Sequence, residues 1–328
     1  MPQSPPLAYV REGQTPFFRL PSTAFDDQGV RRYERAPDAV LVGAPWDGGT
    51  TFNPGARLGP WAVRRASAHV QGYHPIHEID VFGSLEAVDG GNVPITPFDP
   101  AFARAAIEGD VSSIVEAGAV PVLVGGDHSV AYPAIRAVAR KHGPLAIVHL
   151  DAHLDTSGDA IWGDAYHHGT PIRHVLSEGL VAPGALHQVG IRASWGSPEE
   201  GAFAASHGAH RWDVDTIAER GIGTIARAIR AAIGDRPTYL TLDVDGIDPA
   251  YAPGTGTPVP GGLATREVLR LLRGLSGIQV VGIDVVEVCP ARDVADATAT
   301  VAAHLLFEGL ALVAIDRRRR AKASRSVP

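Results

Sequence analysis

Three apolar runs in this chain end the same way, and that shared ending limits the fold. Val120 opens "VPVLVGGDH", Leu145 opens "LAIVHLDAHLD" and Thr238 opens "TYLTLDVD". Each begins as a stretch fit for a buried strand and closes on acidic or imidazole side chains: Asp127 and His128, then Asp151, His153 and Asp155, then Asp243 and Asp245. Isolated carboxylates near a core cost on the order of several kcal/mol unless something neutralises them. In a parallel sheet all strands share a direction, so their C-terminal ends meet along one edge, where ligands of such folds sit. If the backbone stays extended beyond each strand, spacing by two puts each set on one side.

The rest of the chain agrees with a parallel sheet. Further strand candidates are "AVLVGAP" from Ala39, "HQVGI" from His187 and "QVVGIDVVE" from Gln279. Amphipathic stretches between them predict helices over 100–117, 130–141, 222–233, 265–275 and 293–313. Strand and helix alternating in this way imply a parallel sheet with helices on both faces. Residues 1–36 lack periodicity and read as an N-terminal arm. No repeat or composition break divides 37–315, a single domain, and 316–328 reads as a basic tail, a solvated helix end that frays.

Composition narrows the function. A net charge of −7 leaves no footprint for binding nucleic acid. The single cysteine, Cys289, excludes an intrachain disulfide and a cysteine-rich metal site, and suits a reducing, cytoplasmic setting. The start, with early prolines and no long apolar core, is not expected to be a secretory signal, and the apolar stretch 301–315, broken by His304 and Glu308, is expected to be too short to span a membrane.

The converging side chains point to metal chemistry. Carboxylates with imidazole suit Mn²⁺ or a related first-row ion, with Ni²⁺ and Zn²⁺ chemically compatible. Asp151, Asp155, Asp243 and Asp245 bring four negative charges, which two divalent ions would neutralise and one would not. Asp127 is expected to hydrogen-bond its own loop, and His149 to support the site from behind. "DVDGID" cannot be a calcium loop, because its glycine stands at the wrong position.

The same segments carry a resemblance. "GGDHS", "DAHLDT" and "LDVDGIDPAYAPGTGTPVPGG", with "GAPWDGGTTFNPGARLGP", "HHGTPIRH" and "DVVEVCP", resemble the signatures of the ureohydrolases, the family of arginase, agmatinase and related amidinohydrolases. They run in the family's order across residues 37–315. The resemblance implies an arginase/deacetylase-like three-layer α/β sandwich, with a central, mainly parallel eight-stranded sheet. It also implies a dimanganese centre and a homo-oligomer, a trimer or hexamer. By resemblance, His128, Asp151, Asp155 and Asp243 hold one ion, and Asp151, His153, Asp243 and Asp245 hold the other. His168 matches the histidine that moves protons, and Glu287 the acid that holds the guanidinium. Cys289 where arginases have Asn, and Thr170 where they have Met, point toward the agmatinase-like branch.

The expected reaction is hydrolysis of a guanidino compound, agmatine first, to urea and a primary amine. Paired ions lower the pKa of a shared water toward about 7, Asp155 orients it, Glu287 positions the carbon and His168 protonates the leaving nitrogen. The alternatives are a guanidino-acid hydrolase of the 4-guanidinobutyrate, 3-guanidinopropionate or proclavaminate type, with Arg173 and His174 as candidates for a carboxylate tail. Further away stand arginase, formimidoylglutamase, a one-zinc deacetylase and a metal-bound sensor without activity.

Overall fold

Short runs of Val, Ile, Leu and Ala bury both faces of a strand, the pattern a parallel sheet requires. In the computed structural model, which describes residues 15–26 and 31–325, such runs form the centre of one eight-stranded sheet. Its strands are β1 (Ala39–Ala44), β2 (Ala87–Asn92), β3 (Val120–Gly125), β4 (Leu145–Leu150), β5 (Val181–Ile191), β6 (His210–Asp213), β7 (Pro237–Asp243) and β8 (Gln279–Val286). Their spatial order is β6-β5-β4-β7-β8-β3-β1-β2, and every neighbouring pair is parallel.

Alternation along each strand divides the core in two. Ala146, Val148 and Leu150 pack with Val122, Val124, Leu240 and Leu242 on one face. Leu145, Ile147, Leu123, Val40 and Val42 pack on the other. The first face is covered by α1 (Gly59–Ser67), α4 (Ile222–Ile233), α5 (Thr265–Gly274) and α6 (Ala297–Arg325). The second is covered by α2 (Pro100–Glu116) and α3 (Ala131–His142). This is the expected three-layer sandwich.

Two edge strands were not legible. β2 reads "AVDGGN" and β6 "HRWD", too polar and too glycine-rich to register as strands. β5 begins at Val181, six residues before the expected His187 (187 − 181). Helix α6 starts later and ends further on than 293–313, because Pro290–Arg292 forms a tight turn and Ala295 and Asp296 adopt φ of 52° and 58° before it. The apolar stretch expected to be too short for a membrane therefore belongs to a helix that would suffice by length and hydropathy, but 78% of its apolar window is buried inside the fold. The basic stretch continues this helix, with Arg317 paired to Asp38, Arg320 to Asp316, and Arg319 to Asp316 and Asp235.

The described part of the N-terminal segment packs on the domain. Phe17 and Phe18 are fully buried, their amides donating to Asp89 Oδ2 (2.9 Å) and Ser67 Oγ (2.8 Å). Arg64 stacks over the Phe17 ring at 4.1 Å.

One glycine, following β3, ties the end of that strand to the ends of its neighbours β1 and β8. The amide of Gly126 donates to Ala44 O (2.9 Å), its carbonyl accepts from Glu287 N (2.8 Å), and Asp127 N donates to Trp46 O (2.8 Å). A Cβ at Gly126 would lie 1.5 Å from Trp46 O, a backbone atom that cannot move aside. Gly126→Ala is expected to lose about 1–3 kcal/mol of stability or more, measured by urea denaturation; a loss within about 0.5 kcal/mol, the range of neutral surface changes, would contradict this close packing.

Candidate active site

The loops leaving β3, β4, β7 and β8, four adjacent strands, meet above the sheet. They do not stay extended, so the spacing-by-two expectation fails beyond the strand ends. Asp127 caps the turn His128–Val130 by accepting from Ser129 N (2.9 Å) and also from Gly49 N (2.7 Å), the loop role expected of it. β4 stops at Leu150, and Asp155 is turned by a left-handed φ of 53°. Asp243 accepts from Asp245 N (2.8 Å), which folds Val244–Gly246 into a tight turn. Convergence therefore comes from turns built by the acidic side chains themselves.

All six expected metal residues come together in two groups that share Asp151. His128 Nδ1 lies 3.0 Å from Asp151 Oδ2, 2.8 Å from Asp155 Oδ2 and 3.4 Å from Asp243 Oδ2. His153 Nδ1 lies 3.3 Å from Asp151 Oδ1 and 3.0 Å from Asp245 Oδ2. Asp151 thus presents one oxygen to each histidine. Three oxygens crowd His128 Nδ1, and the buried atom makes no well-aligned hydrogen bond to any one of them. A nitrogen aimed between three oxygens fits a shared cation better than a hydrogen bond. Only oxygen and imidazole donors are present, a set suited to hard or borderline divalent ions.

Protein groups alone do not neutralise this cluster. Burial and the charges of Asp245 and Asp151 push Asp243 well above the usual carboxylate range, and burial also raises Asp245. Burial opposes ionisation of Asp151 too, but His149, His128 and His153 outweigh it and hold that carboxyl well below its ordinary value. His128, which burial would keep neutral, is raised well above its ordinary value by Asp155, Asp151 and Asp243. The groups share protons because they cannot all ionise together, the state that bound cations reverse.

One residue level below lies a buried polar row. Gln188, His149, Thr241 and Asp284 are lateral neighbours across β5, β4, β7 and β8, all 0% exposed. Gln188 Nε2 lies 3.1 Å from His149 Nδ1 and donates to Leu154 O (2.8 Å), and His149 Nε2 lies 2.8 Å from Asp151 Oδ2. Leu154 O can only accept, so the Gln188 group there is its NH₂, and it donates to His149 as well. The second His149 nitrogen must then carry hydrogen and donate to Asp151. His149 supports the shared carboxylate, as expected.

Above the carboxylates a cavity of about 350 Å³ opens, lined at its base by His128, His153, Asp155, Asp243 and Asp245. His168 also lines it, with Nδ1 2.9 Å from Glu287 Oε1 and Nε2 2.7 Å from Thr51 Oγ1. Burial would lower the His168 pKa, but the Glu287 hydrogen bond and charge raise it to about 9. Glu287 accepts from His128 N (3.0 Å) through the same Oε1 and stands behind His168, outside the cavity wall; its Oε2 is sealed and has no donor.

Other candidates have structural partners. Arg173 donates to Thr156 O (2.8 Å) and Glu199 (2.5 Å), and His174 Nε2 bonds Ala165 O (2.6 Å), so neither lines the cavity. Cys289 is buried with Sγ 3.6 Å from Pro54 O, and burial raises its thiol pKa, which leaves it no nucleophile. Sequence reasoning passed over Thr51, Gln188, Thr241 and Asp284. The available signal was a polar residue two positions before an acid, as in "TLD" for Thr241, or alone in an apolar strand, as in "GIDVV" for Asp284.

Comparison with known proteins places this arrangement. Residues 37–311 match the arginase family. Proclavaminate amidinohydrolase of Streptomyces clavuligerus is 44% identical over 91% of this chain and 94% of its own. Its solved structure superposes with a TM-score of 0.86 at 42% identity, covering 95% of this chain and 100% of that one. Guanidinopropionase of Pseudomonas aeruginosa is 42% identical over 93% of each chain. Mitochondrial agmatinase of Gallus gallus is 40% identical over 84% of this chain and 81% of its own. With this family match and a shared sheet, the chain belongs to the arginase family.

Proposed function

We propose that this protein is a metal-dependent amidinohydrolase that cleaves a guanidino compound to urea and a primary amine. The observation that carries the reading is Asp151, whose two oxygens face His128 on one side and His153 on the other. His153 and Asp245 add donors enough for a second ion beside the first group, so the one-zinc deacetylase alternative fits less well. His128, Asp151, Asp155 and Asp243 would hold one Mn²⁺, and Asp151, His153, Asp243 and Asp245 the other. When bound, such a pair supplies the positive charge that brings the pKa of water from 15.7 toward about 7.

The remaining work falls to the protein's own groups. Asp155, at the cavity base, accepts a hydrogen from the attacking water and aims its lone pair. Water adds to the guanidinium carbon, the bond from that carbon to the substituted nitrogen breaks, and the nitrogen leaves as an amine once protonated. His168 holds the proton for that nitrogen, kept charged by Glu287. The family resemblance makes Glu287 the acid for the guanidinium, and its Oε2 is the oxygen left without a donor.

Two observations bear on the substrate's other end. No lysine or arginine among the described residues lines the cavity, whereas Glu200, 5% exposed, does, beside Trp162 and Trp195. A carboxylate among indoles favours an amine tail, as in agmatine. The identity to a guanidinopropionase favours a carboxylate tail with equal force. Urea release from agmatine, arginine, 4-guanidinobutyrate, 3-guanidinopropionate and guanidine after Mn²⁺ loading tests the reading; urea from none of them would overturn it.

Asp243→Asn is expected to lower bound metal and cut turnover by at least about 100-fold; full activity of metal-stripped protein would contradict the proposal. His168 acts in its acid form, which is present below its pKa of about 9 and lost as pH rises through it. Activity should therefore fall above about pH 9, and His168→Asn should lower kcat by about 10²- to 10⁴-fold and abolish that limb. A high-pH limb unchanged in the variant would assign the proton to another group.

A further inference from the structure

The row below the carboxylates does more than satisfy buried polar atoms. Thr241 Oγ1 donates to Asp284 Oδ1 at 2.7 Å and lies 2.8 Å from His128 Nε2. A hydroxyl has one hydrogen. Because that of Thr241 is given to Asp284, its oxygen can only accept from His128, so Nε2 must carry hydrogen. A neutral imidazole with hydrogen on Nε2 has its lone pair on Nδ1. That is the atom sealed without a hydrogen-bond partner among oxygens of Asp151, Asp155 and Asp243.

We propose that Thr241 and Asp284 are positioning residues that fix His128 in its metal-ligating tautomer, and so set the affinity of one of the two metal sites. The proposal rests on the reading of His128 as a ligand. Three features support it beyond distance. Thr241 and Asp284 face each other directly in the β7–β8 register, so the alignment is set by the central strands and not by a mobile loop. His128, Thr241 and Asp284 are each 1% exposed or less, so water does not compete for the chain of bonds. His149 gives the contrast, since the Gln188 amide fills its Nδ1 and makes its Nε2 a donor to Asp151. Two buried histidines beside the same carboxylates are thereby sorted, one as ligand and one as support, by the side chain behind each. Outer groups of this kind typically change metal affinity by about 10- to 100-fold when removed.

The test is Mn²⁺ binding by the full chain, followed by equilibrium dialysis and independent of turnover. Thr241→Val keeps the volume and removes the acceptor. It should weaken one of two sites by about 10- to 100-fold and leave the other unchanged, whereas Thr241→Ser should bind as wild type does. In a His128→Asn background, adding Thr241→Val should cost no further affinity, because the effect passes through the imidazole. Should Thr241→Val fail to fold by circular dichroism, Thr241→Cys, with a weaker acceptor of similar size, should give a partial loss at the same site. A folded Thr241→Val or Thr241→Cys protein that binds both ions as tightly as wild type overturns the proposal. So does an equal loss in the His128→Asn background. Wild-type protein that binds no Mn²⁺ would overturn the reading of the site itself, a result separate from either of these.

Discussion

Mutual repulsion of four buried carboxylates is the constraint around which this molecule is arranged. Asp151, Asp155, Asp243 and Asp245 are all at most 6% exposed. Two like charges about 4 Å apart cost about 4 kcal/mol at an effective dielectric of about 20, and a cluster multiplies such pairs. The central strands bring the groups together nonetheless, through hydrophobic burial on both faces that the acids do not share. The histidines relieve part of the repulsion by holding protons among the acids, and divalent cations would relieve the rest. Metal affinity and fold stability are then coupled, since the sheet's cost in holding the acids is recovered when the charge is matched.

Much of this was legible because the strands that carry the chemistry are the central ones. Their runs are mainly apolar, so the acidic and imidazole residues ending them stand out, and all six ligand candidates were found that way. The edge strands were not legible for the converse reason. β2 and β6 need only one covered side and tolerate Asp, Gly, His and Arg, which erases the contrast on which the reading depends. The direction of the turns was hidden as well. Left-handed backbone at Asp155 and Glu287 has no sequence signature, because only glycine advertises it. Thr241 and Asp284 were hidden differently: a threonine in a β-rich run reads as an ordinary β-former, and its value appears only once His128 is placed against it from another strand.

The two strained residues explain why the site is built on rigid elements. Asp155 and Glu287 have φ of 53° and 65°, conformations costing about 1–3 kcal/mol for residues with a Cβ. Each is held by backbone bonds from neighbouring elements: Arg173 N to Asp155 O (3.1 Å), and Glu287 N to Gly126 O (2.8 Å). The strain redirects a carboxylate that an extended chain would carry elsewhere. At Asp155 it returns the side chain to His128, and at Glu287 it sets one oxygen between the His128 amide and the His168 ring. Glu287 therefore connects the metal side of the cavity to its proton-carrying side through a single atom. A shift of the β8 end would disturb both at once, and Gly126, packed without room for a Cβ against Trp46, keeps that end in place.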